Sequence, residues 1–254
     1  MDVPTALQKP EIHIYPTLEE MSRAAAVMIL QEGKEAITAR GQFLLVLAGG
    51  STPRSLYTQL SGDEFRPQLD WSKVHFFWGD ERAVPPIHLD SNFRMARETL
   101  LSKISVSPTH IHRIPAEKTV TSEAAKIYAA ELKDFFGLKE GEWPRFDLVL
   151  LGMGPEGHTA SLFPNNPALQ EEHQLVVAPW VEQLKCYRVT LTPPAINHSA
   201  QVVFFVAGED KAAALHAVLK GEFHPETYPA QIIRPVAGRL TWILDRAAAS
   251  QLSD

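Results

Sequence analysis

The sequence predicts an α/β fold: a doubly wound, mostly parallel sheet with helices on both faces, in a single compact domain over residues 1–254. Three observations carry that expectation. Short apolar, β-branched or aromatic runs alternate with amphipathic stretches, the pattern of βαβ crossovers. Several of those runs are apolar at consecutive positions, as strands covered on both faces require. The 254 residues, 45% hydrophobic and 21% charged, also suffice for one sizeable core.

The elements follow in order. Thr17-Leu18-Glu19-Glu20 is a capping box ahead of an Ala/Met/Ile-rich helix. Phe43–Ala48 and Val74–Trp78 read as buried strands, and Ser91-Asn92 as the N-cap region of a helix through Met95 to Leu101. Glu123 to Phe136 is apolar at Ala125, Tyr128, Ala129, Leu132, Phe135 and Phe136, a helical period. Strands Phe146–Leu151, Tyr187–Leu191 and Val202–Ala207 come next. Asp210 to Lys220 gives another helix, stopped by Gly221, and Thr241–Leu244 a last strand. Lys139–Pro144 is the most hinge-like connection, but strands flank it on both sides. Together with 19 prolines gathered in loops, that favours one domain over two.

Composition narrows the function. With 24 Lys+Arg against 30 Asp+Glu the net charge is −6, so no nucleic-acid partner is expected. An anionic small molecule would need a local cationic pocket working against the global field. The longest apolar runs, Ala24 to Leu30 and Phe43 to Ala48, fall short of the ~20 residues that span a bilayer, and Met1 to Lys9 has no leader-like pattern. A soluble, cytoplasmic chain without a membrane partner is expected. The single cysteine, Cys186, excludes an internal disulfide and a Cys-cluster metal site. His110 and His112 would share a face on a strand, but no third ligand has recognisable spacing, so no metal is expected.

In open α/β sheets ligands bind beyond the carboxyl ends of the strands, and three loops lie there. After Phe43–Ala48 comes Gly49-Gly50-Ser51-Thr52-Pro53-Arg54. Its glycines allow a sharp turn, with Thr52 as N-cap and Pro53 as first helical residue. Glycine turn, hydroxyls and helix N-terminus suit a phosphate monoester. It is neither a Walker A loop nor a nucleophile elbow. Taken alone, it could be a mere strand-to-helix turn.

After Val74–Trp78 comes Gly79-Asp80-Glu81-Arg82-Ala83-Val84-Pro85. Here two acids and an arginine could face a ligand, or could form a solvated ion pair. Arg82 can hold a carboxylate, a phosphate or a developing oxyanion. After Phe146–Leu151 comes Gly152-Met153-Gly154-Pro155-Glu156-Gly157-His158-Thr159-Ala160-Ser161-Leu162-Phe163-Pro164. Its G-x-G-x-x-G is not a dinucleotide fingerprint, because Pro164 and Pro167 break any helix that a dinucleotide site needs. His158, held in a glycine loop at a strand end, is a candidate general base. Lys211, beyond Val202–Ala207, and Arg188, inside a strand where a charge needs a partner, could complete a phosphate clamp.

Together these blocks resemble the 6-phosphogluconolactonases. That family carries Gly-Gly-Ser-Thr-Pro, then Gly-Asp-Glu-Arg with Val-Pro and Ser-Asn downstream, then Gly-x-Gly-x-Asp-Gly-His-Thr-Ala-Ser-Leu-Phe-Pro. All three occur here in order, and the likeness continues through Arg188-Val189-Thr190-Leu191-Thr192 and Gly208 to Lys211. One position departs: Glu156 stands where the family usually has Asp. The related glucosamine-6-phosphate deaminases continue differently after the Gly-His pair, with Ile-Ala-Phe-Asn-Glu-Pro.

The resemblance implies hydrolysis of 6-phospho-D-glucono-1,5-lactone to 6-phosphogluconate in the pentose phosphate pathway, with no metal, cofactor or covalent intermediate. His158 would activate water, and Arg82 would orient substrate or stabilise the oxyanion. Asp80 would orient Arg82 or His158, or bind sugar hydroxyls. Gly49, Gly50, Ser51, Thr52 and Lys211, with Arg188, would hold the phosphate. A monomer or weak homo-oligomer is expected. The rival readings are an amino-sugar-phosphate deaminase, a non-catalytic sugar-phosphate sensor, and a serine hydrolase using Ser51.

Overall fold

The computed structural model describes residues 9–118 and 120–252, so most of the Met1–Lys9 reading lies outside the described residues. The chain enters as strand β1 (Glu11–Tyr15). Thr17 then caps α1 (Leu18–Arg40), its side chain accepting from Glu20 N, as the capping box requires. β2 (Phe43–Leu47) and α2 (Ser51–Leu60) form the first strand-to-helix unit. β3 (Val74–Trp78) leads through Gly79 into the short β4 (Asp80–Arg82), and Ser91 caps α3 (Asn92–Thr99). β5 (Ile111–His112), α4 (Thr121–Phe136) and β6 (Leu148–Leu151) follow. Then come β7 (Val176–Val177), β8 (Trp180–Val181), β9 (Cys186–Leu191) and α5 (Pro193–Asn197). The last elements are β10 (Gln201–Val206), α6 (Ala212–Lys220) and β11 (Arg239–Asp245).

Seven strands make one sheet in the order β1-β11-β10-β6-β2-β3-β5, every pair parallel. β2, β6 and β10 are buried at every residue, which accounts for their unbroken apolar runs. Helices cover both faces. Phe43, in register with Val74 of β3, packs against α1 at Gly33, and Trp78 on that same face meets Phe93 of α3 edge-on. On the opposite face His75 and Phe77 lie against Phe135 of α4, with Phe136 also on Phe77. From β2 the chain next adds β3 on one side, whereas from β6 it next adds β10 on the other. The crevice between the carboxyl ends of β2 and β6 is therefore the topological switch point.

The structure corrects several expectations. Tyr187–Leu191 is a strand, but it lies in a second, antiparallel sheet of order β4-β9-β7, with β8 also paired to β9. The main sheet gains β1 and β5, which the apolar-run criterion passes over. β1 alternates polar and apolar residues at an exposed edge, and β5 is only two residues long. The strand read from Phe146 begins at Leu148. Helix α2 begins at Ser51 with Gly50 as its N-cap and no side-chain cap, so Thr52 lies in the first turn instead of capping it. Gly50 adopts φ 102°, a conformation costly for any residue with a Cβ, and the turn is complete before Thr52 is reached.

Candidate active site

A cleft of about 230 Å³ opens at the switch point. Four neighbouring strands feed it from their carboxyl ends: β2 supplies Gly49 to Thr52, β6 supplies His158, β3 supplies Asp80 and Arg82 through β4, and β10 supplies Lys211. All of these line the cleft. Arg188 does not. Its Cα stands opposite that of Arg82 in the β4–β9 pair, and its Nε and Nη1 are buried without a hydrogen-bond partner among the described residues.

The cradle is formed by local backbone geometry. The turn at Gly50 delivers the chain into α2, whose first-turn N–H groups and positive dipole end border the cleft. Gly49 is required for space: a Cβ there would lie 1.9 Å from Asn92 Oδ1. Buried Tyr57 of α2 donates to Ala48 O at 2.8 Å and accepts from Ala48 N at 2.9 Å, fixing the strand end from which the loop departs. Burial pushes its phenol well above the ordinary range, so it remains a neutral donor.

His158 sits in a loop without a helix, as the prolines dictate. Gly154 N donates to His158 O at 2.9 Å, and Thr159 Oγ1 donates to Gly152 O at 2.8 Å, closing the turn. Ala160 is left-handed at φ 48°, an uncommon conformation for a residue with a Cβ, in the segment that carries the imidazole. Phe163 stacks on the imidazole, centroids 4.1 Å apart. Glu156 Oε1 lies 3.1 Å from Nδ1, close enough to pair in charge but off the axis of a straight hydrogen bond. The imidazole, and more weakly Lys211, hold the Glu156 carboxyl below the usual carboxylate range. A side chain on Gly154 would strike this pair, its Cβ falling 2.0 Å from His158 Nδ1 and 2.7 Å from Glu156 Oε2.

The Asp80-Glu81-Arg82 segment divides by strand alternation. Asp80 and Arg82 point to one side and Glu81 to the other. Asp80 makes no hydrogen bond to His158 or Arg82 among the described residues, although it lines the cleft. Its Oδ2 accepts from Ser161 Oγ at 2.6 Å and its Oδ1 from Asn92 Nδ2 at 3.2 Å. Glu81 turns away from the ligand side and accepts from Asn92 N and Phe93 N, both at 2.8 Å, and from Arg82 N and Ser91 Oγ. It therefore binds the N-terminus of α3; burial raises its carboxyl above the ordinary range, against the pull of those backbone donors. Arg82 Nη1 donates to Asp90 O at 2.6 Å, which anchors one edge of the guanidinium. Lys211 Nζ pairs with Asp210 Oδ2 at 2.9 Å.

Sequence reasoning did not assign Asn92, Ser161 or Phe163 to the site, because their partners lie far off in sequence or depend on side-chain packing. The pair His110 and His112 is joined by His75: His75 stacks on His110 at 3.8 Å, and its Nδ1 lies 3.0 Å from His112 Nε2. These stacked rings do not converge, and no group of three or more His, Cys, Asp or Glu among the described residues could hold a metal ion. No helix among the described residues is long and apolar enough to cross a membrane.

Fold and site define an α/β protein with a glycine turn, a helix N-terminus, an imidazole and two cations gathered at the switch point of a parallel sheet. The chain belongs to the family of glucosamine-6-phosphate isomerases/6-phosphogluconolactonase, whose model matches residues 16–242. It is 40% identical over 243 residues to a 6-phosphogluconolactonase of Synechocystis sp., covering 96% of this chain and 98% of that one. A 6-phosphogluconolactonase of Nostoc sp. is 38% identical over 245 residues, covering 96% and 99%. Among solved structures, the 6-phosphogluconolactonase from Trypanosoma brucei matches with a TM-score of 0.86 at 29% identity, covering 96% of this chain and 99% of that one.

Proposed function

We propose that this protein hydrolyses 6-phospho-D-glucono-1,5-lactone to 6-phosphogluconate, a step of the pentose phosphate pathway. The observation that carries the reading is that the His158 imidazole shares one cleft with the Gly49–Thr52 cradle and the cations Arg82 and Lys211. The lactonase relatives, matched over almost their full length, support it further.

In this reading the phosphate rests on the α2 N-terminus and on Lys211, which sets the lactone carbonyl beside the imidazole. With Nδ1 facing Glu156, Nε2 takes a proton from water as the oxygen attacks the carbonyl carbon. Arg82 faces the oxyanion of the tetrahedral adduct. Collapse breaks the bond from the carbonyl carbon to the ring oxygen, and the imidazolium returns the proton to that oxygen. Arg188, whose Cα stands opposite that of Arg82 in the β4–β9 pair, adds positive charge beside it. Asp80 serves as a structural anchor.

The test is a coupled assay. Lactone is generated with glucose-6-phosphate dehydrogenase, and its disappearance is followed above the spontaneous rate. Acceleration by the protein supports the reading. No acceleration, with ammonia released from glucosamine 6-phosphate, replaces it with the deaminase reading.

A further inference from the structure

We infer that Asn92 is a positioning residue that couples the phosphate cradle to the loop carrying His158, acting through Asp80; the inference rests on the lactonase reading above. Asn92 is 2% exposed and stands at the first position of α3, held there by the bond from its N–H to Glu81. Its amide touches two loops at once. Oδ1 lies against Gly49 so closely that no side chain fits between them. Nδ2 donates to Asp80 O at 2.9 Å and to Asp80 Oδ1 at 3.2 Å.

The other carboxylate oxygen of Asp80 continues the line. It accepts from Ser161 Oγ at 2.6 Å, and Ser161 follows His158 by three residues and is itself 1% exposed. Ser161 N donates in turn to Thr190 Oγ1 at 3.3 Å, tying the second sheet to the same point. A continuous buried path thus runs from Gly49 through Asn92, Asp80 and Ser161 to the backbone bearing the imidazole. The hydrogen bonds of this path resist deformation, because breaking one leaves a buried group unsatisfied at low dielectric. A phosphate drawn onto the cradle is then held at a set distance from His158, and its binding energy is spent on orienting the carbonyl.

The experiment compares turnover of the phosphorylated lactone with that of glucono-1,5-lactone. In Asn92→Ala the ratio of the two kcat/KM values falls about tenfold, what one hydrogen bond to a charged group typically carries. Ser161→Ala lowers the same ratio by breaking the path at its other end. Gly49→Ala also lowers it in the native background, but adds less than twofold once Asn92 is alanine, because the side chain it strikes is gone. Equal losses on both lactones, or full additivity of Gly49→Ala with Asn92→Ala, overturn the inference. Should Asn92→Ala fail to fold, the Ser161→Ala ratio decides.

A readout independent of turnover separates this failure from failure of the lactonase reading. Inorganic phosphate added to the native protein shifts the NMR resonances of the His158 imidazole, and the shift is lost in Asn92→Ala. Its persistence in that variant overturns the coupling whatever the enzyme's substrate.

Discussion

The ring of Phe163 lies flat on the imidazole of His158, with planes 17° apart and centroids separated by 4.1 Å. Glu156 meets the same imidazole at its Nδ1 edge, so tilt and rotation are both set by neighbours in one loop. On the proposed mechanism an imidazole held this way takes a proton without rearrangement, and its removal should affect rate more than binding.

His158→Asn is therefore expected to lower kcat by about 10²–10⁴-fold. Affinity for 6-phosphogluconate, read by calorimetry, should stay within a few-fold of the native value. Near-native turnover would remove His158 from the mechanism.

Lys211→Ala should raise KM for the phosphorylated lactone about tenfold or more, since a charge-assisted contact to phosphate is lost. The kinetics on glucono-1,5-lactone should change far less. Equal losses on both substrates would show that Lys211 is not a phosphate ligand.

Glu81 ties the N-terminus of α3 to the backbone of Arg82. Glu81→Ala leaves the N–H groups of Asn92 and Phe93 buried without their acceptor, and should cost about 2–3 kcal/mol in urea unfolding. An unchanged unfolding midpoint would exclude this capping role.

A further prediction concerns pH. Burial, then the neighbouring His110 and His112, push the His75 imidazole down to about 4. Between that value and the ordinary imidazole range the unfolded chain binds a proton that the folded one refuses. Stability accordingly rises with pH across that window and is lost as pH falls through it. His75→Phe should flatten the decline in Tm between pH 6.5 and 4 by about 2–4 °C. Parallel native and variant curves would contradict the assignment.

Much of this site could be read from the sequence, for a local reason. Gly49 to Thr52, Arg82, His158 and Lys211 each follow an apolar run and a glycine, and a parallel sheet sends such positions to one edge. What escaped was whatever depends on distant partners. The Asn92–Asp80–Ser161 contacts join residues 12 and 81 positions apart, and no local pattern announces them. Asp80 read as a ligand-facing acid and does line the cleft, but its bonds to Asn92 and Ser161 were not legible. Strand β4 escaped for a related reason: it is three residues long and pairs with β9, about a hundred residues away in sequence, in a sheet of opposite sense. Arg188 drew notice because a charge inside a strand needs a partner, and the antiparallel pairing of β9 with β4, which sets it opposite Arg82, has no local signature.

The imidazole and the anion cradle leave adjacent parallel strands, β6 and β2, paired at Leu45 with Leu148 and Val46 with Val149. Backbone hydrogen bonding spaces such neighbours by about 4.8 Å whatever their side chains. On the proposed mechanism, the distance from a substrate's phosphate to its reacting carbonyl is thereby set by the peptide lattice.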